Sequence, residues 1–529
     1  MESSPSNFSK ISEHFPTSTR TRQYAMIRLP CRWRPWTALS KANSSPPRRT
    51  FSRPTFAPKP VLDVKHIRQS PGLYEQNCND RNYKRQARNS WRILELHEQW
   101  QQLQRNSRNF REHNNVLRKQ LSHAASNEQD KSELLEKAKE LKTHLDRIEV
   151  QEKKIQEEID ELALELPNLS SSFTPNGNDP RILGYINDHP EPEPSTSDRV
   201  WRSHVHVGSE LDILDFAGAA TTSGWGWYFL KNEAALLEQA LIQYTLSIAR
   251  KHGWQIVTPP SIVYSHIAAA CGFQPRDQNE EQQIYTLAQA DKDKSKPTLS
   301  LAGTAEIPFA GMKANTILEE ADLPLKIIGA SRCYRAEAGA RGVDTKGLYR
   351  VHEFTKVEMF GWTKPDGSGD EDHFTADAFE SYSLALFEEM VSLQKEILSS
   401  LGLHCRVLEM PAYELGASAT RKIDIEAFFP SRREKDDGWG EVTSASICTD
   451  YQTRRLATRV KTNKRGRRFE YPHTVNGTAM AVPRVLAAIM ENGWDEETKS
   501  LTIPEVLRPW MGGMERVERR GGRPVAASM

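Results

Sequence analysis

The sequence lacks any apolar run near the ~20 residues that a membrane-spanning helix needs, which excludes a helical span. It lacks a CxxC pair. Its six cysteines (Cys31, Cys78, Cys271, Cys333, Cys405, Cys448) are scattered, so neither a zinc ribbon nor a disulfide framework is indicated. It lacks the strand–GxGxxG–helix pattern of a dinucleotide fold and the Walker A signature. Net charge is scarce too. At +1 overall, any contact with nucleic acid must rest on local basic faces. What remains is a chain of 529 residues, 37% hydrophobic, with a mean hydropathy of −0.65. That length suggests two or three domains.

Acidic residues are nearly missing from residues 1–60, where only Glu2 and Glu13 occur. The stretch "STRTRQYAMIRLPCRWRPWTALSKANSSPPRRTFSRP" is rich in Arg, Ser, Thr and Pro, the composition of a mitochondrial transit peptide. A plain disordered basic segment is the alternative. The aromatic and apolar residues set among the arginines (Tyr24, Ile27, Leu29, Trp33, Trp36, Leu39) favour the transit peptide.

Apolar positions then step by three and four through Ile93, Leu96, Trp100, Leu103, Phe110, Leu117 and Leu121. They step again through Leu134, Ala138, Leu141, Leu145, Ile148, Ile155, Ile159, Leu162 and Leu166. The spacing predicts two heptad-type helices folded as an antiparallel hairpin about the polar "SHAASNEQD", each ~45–60 Å long, the second ended by Pro167. Arg105, Arg108, Arg111, Arg118, Lys119 and Lys131 lie on its outer face or near its tip. From charge alone, that is a solvated coiled-coil surface, though one able to attract a phosphate backbone.

A Pro/Ser-rich linker is expected over 171–210. Beyond it "LLEQALIQYTLSIARKHG" and "SYSLALFEEMVSLQKEILSSLG" read as helices, while "LKIIGASRCYR", "GLYRVHEFTKVEMF", "KIDIEAFF" and "GEVTSASI" read as strands adjacent in sequence. The fold class is α+β, an antiparallel sheet with helices to one side, preceded by the helical arm.

In "CYRAEAGARGVDTKGLYRVHEF", Arg335 and Glu337 share one strand face, as do Arg350, His352, Phe354, Lys356 and Glu358 on the return. Arginine for phosphate, phenylalanine for stacking and glutamate for amine donors would suit ATP. A charged hairpin with cross-strand ion pairs would have the same residues. Three other features tilt the balance. Glu441 and Ser444 sit three apart as oxygen donors suited to Mg²⁺. Arg484 stands in an apolar helix, where a charge needs a partner. Thr304 and Glu306 sit two apart, suited to an ammonium group.

These segments, with "EVTSASICTDYQTRR", "HTVNGT", "NGTAMAVPRVLAAIMEN" and "IPEVLRPWM", make the chain from about Val61 to Met511 resemble a seryl-tRNA synthetase, a class II aminoacyl-tRNA synthetase. The resemblance implies ATP and serine as substrates, Mg²⁺ as cofactor and an antiparallel class II catalytic domain over 211–513. It makes Arg335, Arg484 and Glu441 catalytic. It assigns Arg335, Ala336, Glu337, Val351, Phe354, Glu441, Val442, Thr443, Ser444 and Arg484 to ATP. Serine falls to Thr304, Ala305, Glu306, Arg335, Glu358, Asn476 and Thr478, and the metal to Glu441 and Ser444. It makes the 61–170 arm the reader of the long variable arm of tRNA(Ser). It also implies a homodimer through the motif 1 region, Leu236 to Pro260, and a mitochondrial matrix location with the cytoplasm as alternative. A catalytically inactive tRNA- or partner-binding relative would be expected to have lost Arg335, Glu358 or Arg484, and all three are present. The chain departs from the family pattern at Ile423, Phe428, Phe429, Glu353, Thr355 and Pro483, the last beside Arg484. Residues 514–529 are expected as a disordered basic tail.

Overall fold

The computed structural model describes residues 57–123, 128–187, 202–273, 283–293, 295–336, 347–365, 381–434, 436–462 and 469–519. The expected transit segment therefore lies almost wholly outside the described residues, and so does Glu337.

The arm is two antiparallel helices, α1 (Asn89–His123) and α2 (Glu128–Leu164), of 35 and 37 residues. At 1.5 Å per residue each is ~53–56 Å long. Ile93, Leu96, Leu117, Leu145 and Ile159 are buried along the seam, with Ser107 among them. Phe110 stacks on His144 across it. Arg105, Arg108, Arg111, Arg118 and Lys119 are all exposed on α1. Arg111 also reaches Glu149 of the facing helix at 3.6 Å. Lys131 lies in α2, its side chain outside the described residues.

The root of the arm is bonded into the core. The Asn168 amide donates to the carbonyls of Ser418 and Cys448 and to the Thr449 hydroxyl, at 2.9, 2.9 and 3.0 Å. Buried Arg81 donates to the carbonyls of Asn168 and Gly416.

The core is an eight-stranded sheet. Its strands are β1 (Arg181–Ile186), β2 (Gln255–Ile256), β3 (Leu325–Tyr334), β4 (Glu353–Thr363), β5 (Cys405–Glu409), β6 (Arg421–Phe428), β7 (Trp439–Thr449) and β8 (His473–Ala481). The spatial order is β1-β5-β6-β7-β8-β4-β3-β2. Every pairing is antiparallel except that of β2 with β3. The helices include α3 (His204–Glu210), α4 (Asn232–Lys251), α5 (Glu306–Met312), α6 (Tyr382–Ser400), α7 (Tyr451–Leu456) and α8 (Val482–Gly493).

Alternation decides the faces. Val357, Met359, Ile423, Ile425, Val475 and Ala479 point to one side and pack with Leu237 and Leu241 of α4, Met390 and Ile397 of α6, and Val485 and Leu486 of α8 in one core. Their even-numbered neighbours on β4 and β6 point the other way. Toward the β3–β4 end that second face is covered by α5, where Ile307 and Phe309 pack with Ile327, Phe360 and Trp362.

Three expectations need correcting. The stretch 171–210 is not only a linker, since it supplies the edge strand β1, bonded to β5, and the helix α3. Residues beyond 513 are not all tail, because Arg516–Glu518 pairs with Ser500–Thr502 and buries Val517. The return strand begins at Glu353, so Arg350 and His352 do not share a strand face with Phe354. The His352 amide instead donates to the Gly226 carbonyl at 3.0 Å, which draws the chain off the sheet.

Gly329 of β3 packs closely against the segment after β2. A Cβ there would collide with the Val257 carbonyl oxygen and press on Phe309 at 3.0 Å. Gly329→Ala is expected to lower stability by about 1–3 kcal/mol, read as an earlier denaturant midpoint with an unchanged slope.

Candidate active site

The sheet face opposite the apolar core carries the polar residues in register. Glu358 on β4 stands opposite Thr478 on β8. Ser444 on β7 stands opposite Asp424 on β6, and Glu441 opposite Glu426. Ladder shifts at Ile425/Glu426 and at Thr478/Met480 turn the strands locally. From the core side, the buried Gln394 amide of α6 donates to the carbonyls of Ser444 and Thr478, both at 2.8 Å, which ties β7 to β8 beneath the site.

Above this row lies a cleft whose walls include Arg335, Val351, Phe354, Glu441, Ser444, Thr478 and Arg484. Arg484 donates to the Tyr349 carbonyl at 3.1 Å, the Glu441 carbonyl at 3.0 Å and the Glu441 carboxylate at 3.2 Å. Its guanidinium lies 4.6 Å from the Tyr349 ring, and that of Arg432 lies 4.1 Å from the same ring. Pro483 does not disturb this arrangement. It falls in the first turn of α8, where its missing N–H has no intrahelical partner to lose. Burial acts against the charge of Glu441, but Lys422, Arg484 and Arg335 outweigh it and hold the carboxyl well below the usual range. One wall of the cleft is thus two arginines around an ionised carboxylate.

Arg335 leaves β3 with its amide bonded to the His352 carbonyl at 2.9 Å, and its guanidinium lies 5.3 Å from the Phe354 ring. The base of the following loop is clamped. The Leu348 amide donates to His204 Nε2 at 3.0 Å, so the proton is on Nδ1, which donates to Glu491 at 2.7 Å. Glu491 also accepts from the Ser431 amide and hydroxyl, at 3.1 and 2.8 Å. Gly347 has φ +99°, and a Cβ on it would collide with the His204 ring.

Beside the cleft is a buried acidic pocket. Glu358 is ion-paired to Lys356 at 2.6 Å and accepts from the Thr478 hydroxyl at 3.2 Å. Glu306, at the start of α5, accepts from the Gln452 amide of α7 at 2.6 Å, and its own N–H donates to the Thr304 hydroxyl at 3.3 Å. Burial, and after it Glu358, pushes the Glu306 carboxyl up to about 8. A second carboxylate near the first stays protonated until a cation arrives. Asn476 accepts from the Cys448 thiol at 3.3 Å on the same side.

The structure therefore gathers Arg335, Val351, Phe354, Glu441, Ser444, Thr478 and Arg484 around one cleft, with Thr304, Glu306, Glu358 and Asn476 on its acidic side. Other expected residues are placed differently. The Val442 side chain lies in the helix-side core and that of Ala305 in the second core, while Thr443 is buried opposite Ile425. None of these three lines the cleft. The Ala336 amide is bonded to the Gln283 carbonyl at 3.1 Å. Sequence reasoning missed His204, Glu491, Tyr349, Gln394 and Gln452. The one signal for Gln452 was its place in "CTDYQTRR". His204 fell in a stretch read as linker.

The model of the "Seryl-tRNA synthetase N-terminal domain" matches residues 61–170, and that of the "tRNA synthetase class II core domain (G, H, P, S and T)" matches 285–493. The mitochondrial serine–tRNA ligase of Saccharomyces cerevisiae is 38% identical over 482 residues, 89% of this chain and 99% of the relative. The chain belongs to the seryl-tRNA synthetase family. The mitochondrial serine–tRNA ligase of Schizosaccharomyces pombe is 35% identical over 472 residues, 88% of this chain and 91% of that one. Among solved structures, seryl-tRNA synthetase from Pyrococcus horikoshii complexed with ATP superposes with a TM-score of 0.75 at 29% identity, covering 87% of this chain and all of that one.

Glu306 has a folded pKa above its ordinary value, so between about pH 4.5 and 8 the folded chain holds a proton that the unfolded chain releases. Stability from this group is whole below pH 4.5 and lost as pH rises to 8. Glu306→Gln removes that dependence. Relative to the parent, the variant is expected to gain stability on the order of a few kcal/mol between pH 5 and 9, read by urea unfolding across that range.

Proposed function

We infer that the chain is a serine–tRNA ligase. It joins serine to ATP as seryl-adenylate, releasing pyrophosphate, and passes the seryl group to the 3′ end of tRNA(Ser). The observation that carries this is the juxtaposition of a cationic cleft, with Arg335 and Arg484 on its walls, and a buried pocket holding two carboxylates, Glu306 and Glu358.

The chemistry follows from those groups. The serine carboxylate is already an anion at neutral pH, so it attacks the α-phosphorus without a general base. Arg335 and Arg484 neutralise charge that builds on the phosphates, and the work is positioning plus electrostatics. The ammonium enters the acidic pocket and replaces the proton of Glu306. The donors fit Mg²⁺, since Glu441 is ionised and Ser444 adds a hydroxyl on the same wall. These two residues would hold the ion, which supplies further charge neutralisation when bound. Alanine, lacking the hydroxyl, would leave buried polar groups unpaired, a difference that discriminates by ~10⁴ or more.

The arm is the reader of the long variable arm of tRNA(Ser), with Arg105, Arg108, Arg118 and Lys119 as phosphate contacts and Lys131 near the tip. Arg111, already paired to Glu149, is a weaker contact. The protein is a homodimer through the motif 1 region, where Leu236 and Ile256 are each about half exposed, at 50% and 49%. It works in the mitochondrial matrix. The basic, acid-poor N-terminal 60 residues and the mitochondrial names of two relatives support that address.

Amino-acid-dependent ATP–pyrophosphate exchange across a panel of amino acids tests the reading. Serine alone should support it, and exchange with another amino acid in its place overturns the assignment. Arg335→Ala is expected to cut serine-dependent exchange ~10²-fold or more while tRNA binding changes little. Removing residues 105–150 should have the opposite signature. Exchange stays near the parent value, aminoacylation falls sharply, and the salt dependence of charging flattens as phosphate contacts disappear.

A further inference from the structure

Gln452 is a fully buried glutamine on the acidic side of the cleft. It lies on α7, with 0% of its surface exposed. Its Nε2 donates to Glu306 Oε1 at 2.6 Å. Its own Oε1 is buried and has no hydrogen-bond partner among the described residues. A buried amide oxygen without a partner costs ~1–3 kcal/mol, and such a group in a native protein calls for an explanation.

The helix that carries it is held from its other side. Arg455 donates to the carbonyls of Leu164 and Leu166 at the arm root, at 3.5 and 3.4 Å, and its guanidinium lies 3.4 Å from the Tyr451 ring. Arg454 donates to Asp450 at 2.6 Å. The amide is thus fixed by a rigid support, the arrangement that a precisely placed ligand group requires.

We propose that Gln452 is a positioning residue for amino-acid selection: it fixes the Glu306 carboxylate as the acceptor of the substrate ammonium, and its carbonyl oxygen is satisfied when a donor of the bound amino acid enters the pocket. This rests on the serine-activating reading of the same site. The Gln452 N–H occupies one carboxylate oxygen of Glu306, so the other is left for the cation. The hydrogen bond also favours the ionised form of Glu306 against burial and the nearby Glu358. The other titratable or charged groups facing Glu306 are Lys356, Arg335 and the thiols of Cys271 and Cys448.

Two variants of the full-length protein separate this role from packing. Gln452→Met keeps the length of the side chain and removes the donor. Gln452→Glu keeps the shape, and at neutral pH its carboxyl shares one proton with Glu306, so a donor remains until that proton leaves. The expected result for Gln452→Met in pyrophosphate exchange is a KM for serine raised at least ~10-fold, with kcat and the KM for ATP within about threefold of the parent and the acid limb of kcat/KM moved to higher pH. Gln452→Glu should lie closer to the parent at pH 7 and lose serine affinity as pH rises above 8. Equal impairment of both variants at every pH, a rise of the ATP KM in step with that for serine, or an unchanged serine KM in Gln452→Met would each overturn the proposal. Thermal unfolding of both variants accompanies the kinetics, and a folded Gln452→Met with parental serine KM is decisive against it. A parent enzyme without serine-dependent exchange would instead defeat the functional reading, leaving the Gln452–Glu306 bond to be tested by the pH dependence of stability alone.

Discussion

Lys356 and Glu358 lie 2.6 Å apart on one strand, with 6% and 1% of their surfaces exposed. Charges buried this deeply persist only when paired and hydrogen-bonded, and removal of one partner from such a pair typically costs ~3–5 kcal/mol. The pair sets what surrounds it. Thr478 must stand opposite to donate to Glu358. Glu306, arriving from α5, is buried close to Glu358, and burial with that neighbour raises its pKa. The pocket therefore brings two buried carboxylates together, with Lys356 paired to one and the Gln452 amide bonded to the other.

The same sheet solves the opposite problem on its other face. Alternate residues of β4, β6, β7 and β8 form a continuous apolar layer under α4, α6 and α8, and that layer fixes which side chains face the cleft. Two polar devices cross it. Gln394 reaches from α6 to the carbonyls of β7 and β8. Glu491 reaches from α8 through His204 to the base of the loop that carries the cleft's Leu348 and Tyr349. Arg484, in the first turn of α8, and Glu491, in its last, thus tie one helix to two parts of the cleft wall. The helix is rigid because its apolar stripe is buried, and the cleft inherits that rigidity.

The arm is a separate structural problem with a shared anchor. Its seam is apolar and local, so the hairpin follows from heptad spacing alone. Its root does not. Asn168, Arg81 and Arg455 spend their donors on backbone carbonyls from segments far apart in the chain, and α7 faces the arm root with Arg455 and the acidic pocket with Gln452.

The sequence by itself determined the elements whose signal is periodic and the groups whose chemistry is conspicuous. The helical hairpin, the long helices α4 and α6, and the strands carrying Glu358 and Glu441 were all readable because a two- or 3.6-residue repeat is written in consecutive residues, whereas the strand carrying Thr478 was not read from the sequence. Arg484 stood out because a charge in an apolar helix needs a reason, Arg335 because it shares a strand face with Glu337, and Glu306 because of its spacing from Thr304. Only the tertiary structure decided the partners. The edge strand β1 lay hidden in a Pro/Ser-rich stretch, since an edge strand half exposed to water needs no strong apolar alternation. Arg350 and His352 left the strand because a long-range bond to Gly226 outweighed local pattern. Val442 and Thr443 turned away from the cleft because a ladder irregularity in β7 reset the alternation. His204 and Gln452 gained their roles from contacts 287 and 146 residues away, and a hydrogen bond between distant residues leaves no periodic trace in either segment.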